Sequence, residues 1–114
     1  MWTDIKMRID EVSDIARSVE EFFVWLQDIL PYGKMKIKII DRGMGFYEGY
    51  TDVQVIRKSD NCPEGAYAKG NTVEETLEKT VQKFLEIVAT EYPEKKKNEV
   101  LSETSIRYIE YYNF

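Results

Sequence analysis

The chain has 114 residues, of which 43% are hydrophobic and 32% charged, an ordinary balance for one globular domain that folds without disulfides or metals. It contains a single cysteine and no histidine, which excludes an intrachain disulfide and removes the commonest general base and metal ligand. The net charge is -5. We also find no apolar run near the roughly 20 residues of a membrane span and no leader pattern. These features predict an acidic cytoplasmic protein.

The charge is unevenly distributed along the chain. Residues 1–30 carry a net charge of -4 and residues 71–92 one of -3, whereas residues 31–70 carry +2. The segments predicted as helices are therefore acidic, and the segment predicted as sheet is mildly basic. A chain without a broad basic face is not expected to bind nucleic acid in general, and only a local strip of phosphate contacts stays open as an alternative.

The first 30 residues predict a long helix, ended by Pro31 and Gly33. Their apolar side chains recur at alternating spacings of four and three residues: Ile5, Ile9, Val12, Ala16, Val19, Phe23, Leu26 and Leu30. The favoured interpretation is that this stripe packs on the protein's own sheet. The alternative is that it pairs with a second copy as a coiled coil. Trp25 widens the stripe and is predicted as an exposed anchor for a partner.

Residues 34–40 alternate strictly between apolar and basic side chains and predict a strand with one wet face. The wet face carries Lys34, Lys36 and Lys38. These lysines either form a solvated face, the favoured interpretation, or contact phosphates or an acidic partner. Residues 46–57 predict a second strand with a candidate bulge at Gly49, and residues 66–68 a short third strand.

A second helix is predicted over residues 72–92 and is the best-defined element of the sequence. Thr72 and Glu75 form a capping box at its start, and Pro93 ends it. Its apolar side recurs at helical spacing and is expected to lie across the sheet: Val73, Leu77, Val81, Phe84, Leu85 and Val88. Glu74 and Glu78 lie on the opposite, acidic side.

Catalysis is not predicted. Cys62 has no histidine to activate it and is interpreted as a structural or incidental cysteine. The paired carboxylates of Glu74 and Glu78 share a face assigned to solvent, where burial cannot tune their pKa values. We therefore expect no enzyme activity, no cofactor and no metal.

The segment at residues 105–114 is rich in β-branched and aromatic side chains and predicts a strand at the sheet edge. The alternative is an aromatic binding surface, because tyrosine is enriched at interface hot spots. That surface would consist of Tyr108, Tyr111, Tyr112 and Phe114.

The predicted fold is therefore α+β, one domain over residues 1–114, with a long N-terminal helix, an antiparallel sheet of three to four strands, a second helix on the sheet and a C-terminal strand (α-β-β-β-α-β). Its helix-strand-strand-strand-helix order resembles the double-stranded-RNA-binding domain. That family places lysines at the start of its second helix to hold phosphates; here Glu74 and Glu75 stand there, which disfavours RNA binding by that route.

Residues 50–88, with the hexamer GNTVEE at residues 70–75, resemble the end of HicB-type antitoxin domains, in which a short strand and a Gly-[Asp/Asn]-Thr turn enter an acidic-capped helix. The small acidic α+β composition is also similar to that of inhibitors from phages and mobile elements, including anti-CRISPR proteins. These resemblances imply an antitoxin or inhibitor module.

The predicted function is a non-catalytic inhibitor or regulator that binds a larger protein, such as a nucleic-acid-binding complex, with a homodimer as an option. Its predicted partner-binding residues are Trp25, Glu74, Glu78, Tyr108, Tyr111, Tyr112 and Phe114. Direct nucleic-acid binding is the disfavoured alternative, with Tyr47 or Tyr50 for stacking. It would use Lys34, Lys36, Lys38, Arg57 and Lys58.

Overall fold

The computed structural model describes residues 8–12, 14–110 and 114. This part of the chain forms a sheet and a single α-helix. The elements in chain order are β1 (Arg17–Trp25), β2 (Lys34–Asp41), β3 (Tyr47–Ile56), β4 (Pro63–Gly70), α1 (Val73–Glu91) and β5 (Ile106–Tyr108), with a 3₁₀ turn (Glu103–Ser105) before β5.

The sheet is antiparallel, with the order β1-β2-β3-β4. β2 pairs with the first half of β3, from Tyr47 to Thr51. It then diverges, and β5 takes its place beside β3, where Ile106–Tyr108 pair with Val53–Val55. β5 therefore takes the place of β2 beside the second half of β3, which confirms a C-terminal strand, and β3 is its one strand neighbour among the described residues.

The predicted N-terminal helix is wrong, and with it the order α-β-β-β-α-β and the coiled-coil alternative. Residues 17–25 form strand β1, so the described chain starts with four strands and contains one helix rather than two. The spacing of threes and fours is misleading because residues 22–26 are apolar at every position, and a continuous apolar run fits either period. Aromatic and β-branched side chains favour the strand. Ile5 lies outside the described residues.

The predicted strand over residues 34–40 is confirmed as β2, and its alternation is the one expected. Met35, Ile37 and Ile39 are fully buried, and they form the core together with Val53 and Val55 of β3. β4 is longer than the predicted strand over residues 66–68, because it pairs with β3 on both sides of an irregularity between Tyr50 and Gln54.

The helix is confirmed, and its start is as predicted: the Glu75 amide donates to the Thr72 hydroxyl over 3.0 Å. α1 lies across β2, β3 and β4 and buries Thr76, Thr80 and Phe84. Gly49 is not a bulge in the pairing with β2. It makes room for the helix, because a Cβ at Gly49 would lie 2.2 Å from the Thr80 Oγ1.

Candidate functional site

The helix covers only one face of the sheet, and we call the other the open face. Directly opposed residues in neighbouring strands share a face, so the pairing identifies its members. Its members from β1 and β2 include Glu21, Phe23, Trp25, Lys34, Lys36, Lys38 and Ile40, and those from β3 and β4 include Glu48, Tyr50, Gln54, Tyr67 and Lys69. The fully buried side chains of β2 alternate with its lysines, which fixes the lysine row on this face.

An aromatic pair lies on the open face at the outer edge of the sheet. Phe23 is 54% exposed and Trp25 60% exposed, with ring centroids 6.3 Å apart. The Lys34 Nζ lies 4.5 Å from the Phe23 centroid and 6.0 Å from that of Trp25. The Lys36 Nζ lies 5.6 Å from the Phe23 centroid. We call these four residues the aromatic edge; it combines large apolar surface with positive charge.

A cavity of about 600 Å³ lies further along the open face. Its walls include the side chains of Lys38, Ile40, Tyr50, Gln54 and Tyr67. The rings of Tyr50 and Tyr67 lie 5.0 Å apart at a tilt of 49°. The ring of Phe114 lies at the same cavity, 4.7 Å from the Lys38 Nζ, which also donates to the Phe114 backbone oxygen. Phe114 and Lys38 therefore form one wall of the cavity.

The buried carboxylate of Glu48 holds the side chains of Arg42 and Tyr67 beside the cavity. Glu48 is 6% exposed and accepts hydrogen bonds from the Arg42 Nε and the Tyr67 hydroxyl, with the Tyr50 hydroxyl at 3.3 Å. Burial opposes ionisation, but the bonds from Tyr67 and Arg42 and the charge of Arg42 outweigh it, so the pKa of Glu48 is lowered. Burial and the Glu48 carboxylate raise the pKa of Tyr67. The group is a charged, hydrogen-bonded support for the aromatic wall.

Asp52 marks the point where β2 leaves β3. Its carboxylate accepts the Lys36 amide at 2.7 Å, and its own carbonyl accepts the Ile109 amide at 2.8 Å. Asp52 thus supplies a side-chain acceptor where the β2–β3 ladder ends. Burial raises the pKa of Asp52, although the Lys36 amide and the Lys36 charge work in the opposite direction.

The structure brings together some predicted site residues. Trp25 and the row of Lys34, Lys36 and Lys38 lie on the open face, with Lys36 ion-paired to Glu21 at 3.8 Å. Tyr108 packs against the core instead, and its hydroxyl donates to the Lys34 carbonyl over 2.7 Å. Tyr111 and Tyr112 lie outside the described residues.

The other predicted site residues lie elsewhere. Glu74 and Glu78 are exposed on α1, which packs on the opposite face of the sheet from Trp25. Arg57 and Lys58 follow β3 directly; Arg57 pairs with Asp60 at 2.7 Å, and Lys58 pairs with Glu94. The acidic side of the helix and the aromatic edge therefore lie on opposite sides of the sheet.

Sequence reasoning misses Phe23, Tyr67 and Glu48. Phe23 falls within the apparent helical stripe, and because Phe22 and Val24 beside it are also apolar, the sequence gives no alternation that would place Phe23 on the exposed face of a strand. Tyr67 lies opposite Tyr50, and Glu48 lies two residues before Tyr50 in β3. Nothing in the sequence indicates that the Glu48 carboxylate is buried.

Comparison with protein-family models, with curated proteins and with solved structures gives no match. The resemblances to HicB-type and RNA-binding domains therefore stay predictions. Within residues 8–12, 14–110 and 114, no helix has the length and apolar character that a membrane crossing requires. The same residues contain no cluster of three or more acidic or cysteine side chains placed to hold a metal ion.

Proposed function

We propose that this chain is a non-catalytic binding protein of the inhibitor or regulator type, which docks on a larger protein through the open face of its sheet. The observation that carries the proposal is the aromatic edge. Phe23 and Trp25 together present two large rings that the fold leaves more than half exposed. Tryptophan and other aromatic side chains are enriched at interface hot spots, where they fill pockets of the partner.

The surroundings of the two rings support a protein partner. Lys34 and Lys36 lie over the rings, so a partner that packs on them would also meet positive charge and would be favoured if it carried acidic side chains. The cavity beside Tyr50 and Tyr67 offers a second contact, suited to an aromatic side chain. The docking surface of the proposal is therefore the open face alone, without the predicted residues Glu74 and Glu78 of α1.

The proposal is tested by measuring affinity for a partner isolated from the cell that carries the gene. Phe23→Ser with Trp25→Ser is expected to weaken the complex by about a thousandfold, because two hot-spot side chains at roughly 2 kcal/mol each contribute about 4 kcal/mol. Met44→Ser is the matched control, since Met44 is 69% exposed in the turn after β2. Glu74→Gln with Glu78→Gln tests the acidic side of the helix. Equal affinity for the double serine variant and the wild type would overturn the proposal.

Single-stranded nucleic acid is a second candidate, because the row of Lys34, Lys36 and Lys38 lies beside the aromatic rings on one face. Rings that stack bases and lysines that contact phosphates form such platforms. It ranks second because Lys36 is paired with Glu21, Lys38 contacts Phe114, and the chain carries a net charge of -5. Anisotropy with a labelled oligonucleotide tests it: three phosphate contacts predict a log–log salt slope of about -2. No binding at low salt would exclude this candidate.

A further inference from the structure

The outer edge of β1 is unpaired within the described residues, since β2 is its only neighbour there. The Leu26 amide donates to the Gly33 carbonyl over 2.8 Å, so Leu26 directs its amide toward the β2 side at the end of the β1–β2 ladder. Hydrogen-bonded pairs alternate along an antiparallel ladder. The amides and carbonyls of Glu21, Phe23 and Trp25 therefore point outward, away from β2.

The charges of β1 and its one irregularity lie in its first five residues, so the part of the edge from Phe22 to Trp25 lacks the usual protection against strand pairing. β1 has nine residues, contains no lysine or proline, and its last four residues are Phe22, Phe23, Val24 and Trp25. Natural sheets commonly guard long edges with lysine, proline or a bulge. The one irregularity of β1, between Ser18 and Glu20, leaves the segment from Glu20 to Trp25 regular and open to pairing.

We propose that β1 pairs antiparallel with β1 of a second copy of this chain, centred on Phe23, to form one continuous sheet. In this register Phe23 meets Phe23 of the second copy, and Glu21 meets Trp25. About six main-chain hydrogen bonds would form between the outward-facing groups. The proposal goes beyond the proposed function, because it uses the backbone edge rather than the exposed rings.

The register is favoured by what it places side by side on each face. On the helix side, Phe22 meets Val24 of the second copy, and Ile37 and Met35 flank them as their partners in β2, so an apolar row crosses the interface. Phe22 and Val24 already pack against the core. On the open face, Lys36 flanks Phe23 in both copies. A register centred on Glu21 would instead oppose two carboxylates, which is destabilising.

Such a dimer joins two open faces into one surface, with both aromatic edges at its centre. The rings of Phe23 and Trp25 stay exposed, because they point away from the sheet while the backbone forms the ladder. A partner with two equivalent epitopes would then bind both copies and gain from the second contact without a new kind of interaction.

The first test is sedimentation equilibrium of the full chain, from micromolar to near-millimolar concentration. The wild type is expected to dimerise. Glu21→Pro removes an outward amide while the β1–β2 ladder stays intact, and it should weaken the dimer about tenfold or more relative to Glu21→Ala, because symmetry removes the donor twice. Glu21→Ala controls for loss of the Lys36 ion pair, and thermal melts confirm that both variants fold. A wild type that stays monomeric, or equal dimerisation of the two variants, would overturn the proposal.

The second test fixes the register by disulfide formation in a Cys62→Ser background. Phe22 and the opposing Val24 form a non-hydrogen-bonded pair with Cα atoms about 4.5 Å apart, within disulfide reach. A mixture of Phe22→Cys and Val24→Cys chains should oxidise mainly to the mixed dimer, whereas each variant alone should oxidise slowly. Equal rates would rule out this register. Neither test involves a partner, so each result is independent of the fate of the proposed function.

Discussion

The contact between α1 and β3 gives the sharpest stability prediction, because the helix packs closely on β3 at Gly49, which has no Cβ. A Cβ at Gly49 would lie 2.2 Å from the Thr80 Oγ1, 3.2 Å from the Thr76 Cγ2 and 3.3 Å from the Ile39 Cδ1. Thr80 cannot swing away freely, since it is fully buried and its hydroxyl donates to the Thr76 carbonyl over 2.7 Å. Gly49→Ala therefore forces the helix or the side chain to move.

We expect Gly49→Ala to lower the free energy of unfolding by about 2 kcal/mol, the usual cost of overpacking a core. In a chain of this size that is a drop of roughly 8 °C in the midpoint of thermal unfolding. The loss is net of a gain of roughly 0.5–1 kcal/mol, because alanine is less flexible than glycine in the unfolded chain. Urea unfolding followed by circular dichroism measures it.

A double-mutant cycle isolates the clash. Thr80→Ala removes the atom at 2.2 Å, so the combination with Gly49→Ala should be more stable than the sum of the two single effects by about 1 kcal/mol or more. Thr80→Val keeps an atom of similar size at the same place, because a β-branched side chain is nearly fixed in a helix, and should give no rescue. A Gly49→Ala protein as stable as the wild type, or an additive cycle, would refute the close packing of Thr80 against Gly49.

Three further predictions concern the polar groups. Glu48→Gln should lower the free energy of unfolding by about 1–3 kcal/mol at neutral pH, because it leaves Arg42 without its buried partner. The folded pKa of Glu48 is lowered, so the stabilisation by its carboxylate is fully present above the ordinary glutamate pKa. In urea titrations the difference in stability between variant and wild type should therefore shrink as pH falls below about 4. Asp52→Asn should raise or leave unchanged the free energy of unfolding at neutral pH, because the raised pKa of Asp52 means that its ionised form destabilises the fold above that pKa. This advantage over the wild type should disappear below about pH 4, where the carboxyl group is protonated in both states. A variant clearly less stable than the wild type at neutral pH would show that the pKa of Asp52 is not raised. Thr72→Ala should cost about 1 kcal/mol and Thr72→Ser little, measured by the same unfolding assay, because only the hydroxyl caps the Glu75 amide; equal losses would exclude the cap.

The helix is predictable because local chemistry alone defines its ends. The Thr72 hydroxyl receives the Glu75 amide as expected, and Tyr92 ends the helix immediately before Pro93. At the other end of the predicted capping box, the Glu75 carboxylate forms an ion pair with Lys79 at 2.8 Å. The strand β2 is equally predictable, since its strict alternation of lysine with Met35, Ile37 and Ile39 admits one period.

The first strand cannot be recognised by the same method, because residues 22–26 are apolar throughout and fit both a helix and a strand. Its register against β2 is a tertiary fact: Phe22 and Val24 face the core only because Ile37 and Met35 lie beside them. If β1 is interpreted as a helix, the sequence cannot predict that Trp25 and Phe23 lie beside Lys34 and Lys36. The predicted site thus combines residues that the fold places on opposite sides, with Glu78 on the helix and Trp25 on the open face.

The buried polar groups are beyond reach for a different reason. Glu48 alternates with Tyr47 and Gly49 as any solvent-facing residue would, and its burial depends on Tyr67, which comes from the next strand. The same holds for Asp52, whose carboxylate meets the amide of Lys36 where β2 and β3 separate. Both depend on contacts between strands, which no local pattern encodes.

The open face as the docking surface is tested most directly by photo-crosslinking in the cell that carries the gene. A photoreactive phenylalanine analogue would replace Trp25 on the open face, Glu78 on the outer side of the helix, or Met44 in the turn after β2, all of which are exposed. We expect position 25 to give one defined adduct with a protein other than a second copy of this chain, and positions 44 and 78 to give none. An adduct formed from position 78 but not from position 25 would contradict it and would move the docking surface to the helix.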